Sequence, residues 1–98
     1  MKPKFKLPKQ FELAGNTFKV IVKEGMSKGG AHGQTHYDAA EIWIDKELKP
    51  EDLKAITFYH ELVHALFNTL GKDDLKSDEG LVDAMGNLLW QFHKTAKY

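Results

Sequence analysis

The order of patterns along the chain predicts an α+β fold: a small antiparallel sheet of about three strands followed by two antiparallel helices. Three observations carry that expectation. Residues 11–45 hold short stretches in which apolar and polar side chains alternate with a period of two. Residues 50–93 switch to helical spacing. Only Gly71 to about Lys76 separates the two helical stretches, so they should fold back on each other. With 98 residues, the chain is expected to form a single domain over residues 1–98, large enough for one modest core.

Taken in order, residues 1–9 are rich in Lys and Pro and read as a basic extended segment, with Lys2, Lys4, Lys6 and Lys9 solvated. Phe11–Leu13 and Phe18–Val22 read as strands joined across Gly15-Asn16, a favourable turn pair. Phe18, Val20 and Val22 alternate with Lys19, Ile21 and Lys23, as a half-buried strand requires. Gly25 to Gly33 reads as a flexible loop, and its glycines lack the spacing and the Gly-Lys-Ser/Thr ending of a phosphate cradle. Ile42 and Ile44, set between Glu41, Trp43 and Asp45, give a third strand.

The first helix is expected from about Pro50 to Leu70. Pro50 suits the first helical position, Glu51 and Asp52 favour the positive end of the dipole, and Gly71 supplies the stop. Leu53, Ile56, Val63, Phe67 and Leu70 make an apolar stripe that also runs past His60. The second helix starts with Ser77 as N-cap, followed by acids in its first turn. Leu81, Val82, Met85, Leu88, Leu89 and Phe92 form one apolar stripe, with Glu79, Asp83, Gly86 and Trp90 beside it. Gly86 would let the two helices approach closely, and Trp90 is expected to pack against the first.

Most of the functional information lies in His60-Glu61-Leu62-Val63-His64. A helix turns once every 3.6 residues, so His60 and His64 stack on one face about 6 Å apart along the axis. Two imidazoles so placed can both reach one zinc ion at about 2.0–2.1 Å. Glu61, roughly 60° round from His64, can address a water on the metal instead. The bland alternative is a helix with one packed and one exposed histidine. A histidine facing inward favours a liganded ring, because an unpaired buried imidazole is costly. A catalytic zinc takes three protein ligands, and the next helix offers the third. Glu79 leads, with Asp78, Asp73, Asp74 and Asp83 as rivals. If Glu79 binds the metal, Asp83, four residues on, can accept the outer N–H of a ligating histidine. Of the groups able to donate to a developing oxyanion, His36 and Tyr37 lead over His32, Tyr59 and His93, because they approach the strand beside the expected cleft.

His60-Glu61-x-x-His64, fourteen residues, then Glu79-x-x-x-Asp83 resembles the gluzincin arrangement of zinc metallopeptidases. The run around it also resembles minimal zincin domains, including the ImmA/IrrE-type metallopeptidases of phages and mobile elements, over residues 35–93. The resemblance implies zinc on His60, His64 and Glu79, Glu61 as general base for a zinc-bound water, and Asp83 behind the ligands. It implies a peptide or protein substrate lying along an edge strand, for which Glu41–Asp45 is the candidate. The metzincin pattern does not fit: Phe67 and Leu70 occupy the positions of its Gly and third His. The expected function is zinc-dependent peptide hydrolysis, the alternative a zinc-binding regulatory or interaction module with little or no catalysis.

Fourteen basic and fourteen acidic residues cancel, which offers no general attraction to nucleic acid or an anionic membrane. No cysteine is present, so thiolate sites and disulfides are excluded. The chain has no apolar run of membrane-spanning length and no secretory segment at its start, and a cytoplasmic location is expected.

Overall fold

The computed structural model describes residues 5–49 and 51–98; Lys2, Lys4 and Pro50 lie outside them. These residues form strands β1 (Gln10–Leu13), β2 (Asn16–Lys23), β3 (Gly33–His36) and β4 (Glu41–Asp45). Helices α1 (Glu51–Thr69), α2 (Asp73–Lys76) and α3 (Glu79–Thr95) follow, and a 3₁₀ turn spans Met26–Gly29. The α+β class is as expected, but the sheet has four strands rather than three and is mixed, in the order β1-β2-β4-β3.

β1 and β2 pair antiparallel with Leu13 opposite Asn16. The turn is therefore Ala14-Gly15, not Gly15-Asn16, and both turn residues have positive φ. That backbone suits the twist of a two-residue hairpin. β2 and β4 run parallel, with Val20 opposite Ile42 and Val22 opposite Ile44. β3, in a stretch given no strand from sequence, pairs antiparallel with β4 and forms the sheet edge. Glu41–Asp45 is thus an inner strand, which removes it as the edge available to a substrate.

Ile42 and Ile44 are wholly buried with Phe18, Phe58, Ala55, Ala65 and Trp90 between sheet and helices. Trp43, on the opposite face by strand alternation, stacks against His36 with ring centres 3.9 Å apart. The N-terminal segment is not merely solvated, because Phe5 is buried against Phe58, Tyr59 and Trp90.

α1 ends as its sequence requires. Gly71 takes φ +71°, its N–H donates to the Asn68 carbonyl, and the Lys72 N–H donates to that of Phe67. This is a Schellman closure. Leu70 is left exposed beyond it. Asp73 and Asp74 open the one-turn α2 between the long helices. The N-cap of α3 is Asp78 rather than Ser77: its carboxylate accepts the Leu81 N–H at 3.1 Å. The buried line of α3 is Val82, Gly86 and Trp90. Leu88 and Phe92, read from spacing as core, are exposed. Trp90 packs against α1 as expected and donates its indole N–H to Asp52.

Candidate metal centre

Two features of the chain bring α3 onto the histidines of α1. The short α2 connection reverses the chain, and Gly86 has no side chain to hold the helices apart. A Cβ at Gly86 would come within 2.9 Å of the His60 amide nitrogen. Helix periodicity then places Asp83 and Glu79, one and two turns before Gly86, over His60 and His64.

The Glu79 carboxylate reaches both rings, with Oε2 3.1 Å from His60 Nε2 and Oε1 3.1 Å from His64 Nε2. One donor atom from each of His60, His64 and Glu79 lies within 4.8 Å of the others. Ligands about 2.0–2.1 Å from one tetrahedral zinc ion are separated by roughly 3.3 Å, so the donor set is already near the spacing that a metal ion requires. Two neutral nitrogens and one carboxylate oxygen suit a borderline divalent cation. Asp78, Asp73, Asp74 and Asp83 are outside this group of donors. Asp83 Oδ1 lies 3.6 Å from His60 Nδ1, on the outer side of that ring. His64 Nδ1 is buried and has no hydrogen-bond partner among the described residues.

Glu61, 7 % exposed, meets the edge strand β3. Its Oε1 accepts the Thr35 hydroxyl at 2.7 Å. Thr35 also lies 3.1 Å from the Glu61 carbonyl oxygen, but its single proton favours the shorter, charged acceptor. Gly33, two residues earlier on β3, admits α1 closely: a Cβ there would lie 2.8 Å from Thr57 Cγ2 and 3.0 Å from Glu61 Cγ. Sequence reasoning missed both residues. The available signal was the alternation Gly33, Thr35, Tyr37, which puts all three on one face of an extended segment.

Tyr37 lies near enough to Glu61 and Glu79 to feel their charge, and His36 lies elsewhere. Burial raises the Tyr37 phenol above its ordinary value, and the nearby Glu61 and Glu79 carboxylates push it the same way. Lys76 of α2 holds the other side of that residue, its Nζ 4.6 Å from the ring centre, and also donates to Asn68. His36 lies on the outer sheet face, hydrogen-bonded to Gln34. His93 pairs with the Tyr59 hydroxyl at 2.6 Å, between the helices and apart from the triad. His32 lines a cleft of about 310 Å³ beside His60 and Glu61, with Leu53, Ile56 and Asp83 among its other walls.

No protein family matches the chain, and neither a curated protein nor a solved structure is significantly similar to it. No helix among the described residues is long and apolar enough to cross a membrane.

Proposed function

We propose that the chain is a zinc-dependent hydrolase of the metallopeptidase kind, with zinc held by His60, His64 and Glu79. One observation carries the reading: two helical nitrogens and a carboxylate converge within 4.8 Å, and a second, buried carboxylate, Glu61, is held beside them. When bound, the ion supplies Lewis acidity, polarising a carbonyl and drawing the acidity of water toward neutrality. Glu61 takes the proton of the attacking water and later hands it to the leaving amine. The Tyr37 phenol, kept protonated by its surroundings, donates to the oxygen on which negative charge develops. Asp83, its Oδ1 3.6 Å from His60 Nδ1, would accept the outer N–H of that ring after a small closure of the gap and so fix it. The free edge of β3, rather than Glu41–Asp45, takes the backbone of an extended peptide. The neighbouring cleft, walled by Leu53 and Ile56, accepts an apolar side chain.

A peptide library presented to the zinc-loaded protein tests the reading. Cleavage by the parent chain is expected, together with a loss of about 10²–10⁴-fold in Glu61→Gln at unchanged zinc content. Full turnover by that variant would remove Glu61 as the base. The second reading, a zinc-binding module without turnover, is favoured by His64 Nδ1. Ligating histidines normally give their outer N–H to an acceptor that tunes the metal, and this one has none among the described residues. Stoichiometric zinc with no cleavage of any library member would select it.

A further inference from the structure

β3 has two sets of polar groups with different partners. The Asp45 N–H donates to the His32 carbonyl at 2.9 Å, and the antiparallel register sets Gly33 opposite Ile44 and Thr35 opposite Ile42. In an antiparallel ladder hydrogen-bonded and non-bonded pairs alternate. Residues 32, 34 and 36 therefore turn their backbone groups toward β4, and Gly33 and Thr35 turn theirs to the outer edge, which no other strand among the described residues pairs. The same two residues face Glu61 with their side-chain positions. The Thr35 hydroxyl binds Glu61 Oε1 at 2.7 Å, and the bare Gly33 Cα admits the Glu61 stem.

We propose that Thr35 is a positioning residue that couples substrate docking to the base. Its backbone takes the main chain of an extended peptide, and its hydroxyl holds Glu61 in one rotamer. Oε1 is occupied by the Thr35 proton, so Oε2 is the oxygen that receives a proton from water. A peptide that pairs with β3 fixes Thr35, and through it the carboxylate, in a single event. The inference rests on the hydrolase reading for its catalytic consequence, but the hold on Glu61 does not.

The test compares Thr35→Val, which keeps the shape and loses the hydroxyl, with Thr35→Ser, which keeps the hydroxyl. Three-bond couplings in protein labelled at glutamate report the Glu61 rotamer without any turnover. A single rotamer is expected in the parent and in Thr35→Ser, and rotamer averaging in Thr35→Val. With a cleavable peptide, kcat should fall about tenfold or more in Thr35→Val at little-changed KM, as for an interaction that acts only in the transition state, and return in Thr35→Ser. An unaveraged Glu61 in Thr35→Val, an unchanged kcat, or equal losses in both variants overturns the proposal. If the parent cleaves nothing, the hydrolase reading fails, and the couplings alone decide whether Thr35 holds Glu61.

Discussion

Gly86 of α3 lies directly on the backbone of His60 in α1, where an added Cβ would be 2.9 Å from the amide nitrogen and 3.1 Å from Cα. The contact sets the distance between the helices and hence the reach of Glu79. Gly86→Ala should gain about 1 kcal/mol of helix propensity. It should lose more than that, because the obstructing atoms are backbone and overpacking of this kind costs about 1–3 kcal/mol. Thermal unfolding should show net destabilisation, and calorimetric titration should show weaker metal binding. A variant as stable as the parent with unchanged affinity would mean that the helices are not in contact there.

Metal removal should lower stability. Three ligands from two helices bind only when the helices are docked, so a ligand at a hundred times its dissociation constant adds about 2.7 kcal/mol. Chelator should therefore lower Tm, and His64→Ala should abolish the difference. Superimposable melting curves with and without chelator would sink the metal site.

Gly33→Ala should force β3 away from α1, since its new methyl would lie 2.8 Å from Thr57 Cγ2. A loss of about 1–3 kcal/mol is expected in denaturant unfolding. Thr57→Ser removes that methyl, so the double variant should recover part of the loss. Strict additivity of the two substitutions would argue against the contact.

Alkaline stability follows from the two raised phenols. Burial raises Tyr59, while Tyr37 is raised by burial and then by Glu61 and Glu79. Below the ordinary tyrosine value of about 10, both phenols are neutral in the folded and unfolded chain, and the full stability is present. As pH rises past that value the unfolded chain ionises first, so stability falls until the folded phenols ionise too. Denaturant unfolding should show this fall, and Tyr37→Phe should reduce it. An identical pH slope in that variant would mean that Tyr37 is not raised.

The helical half could be read from sequence because its determinants are local. His60 and His64 share a face by period alone, Gly71 ends α1 in the left-handed backbone it permits, and Gly86 marks the crossing. The sheet was harder for two physical reasons. Parallel pairing of β2 with β4 joins Lys19 to Glu41 across the chain, and nothing in either strand specifies direction. β3 shows no apolar alternation because its inward positions, Gly33 and Thr35, meet Glu61 instead of the core. A strand that serves a polar site loses the pattern by which strands are recognised. On α3 the apolar stripe was read too wide: Leu81, Val82, Met85 and Leu89 pack as spacing predicts, whereas Leu88 and Phe92 are exposed because the helix docks along Val82, Gly86 and Trp90.

The bond from Thr35 to Glu61 spans 26 residues, whereas that from His60 to Glu79 spans 19 and closes within a helical hairpin. The two closures differ by only about 0.3 kcal/mol of chain entropy, so neither contact has a marked head start. The three candidate ligands belong to the helical hairpin and the hold on Glu61 belongs to the sheet, so either can be lost by substitution while the other is kept.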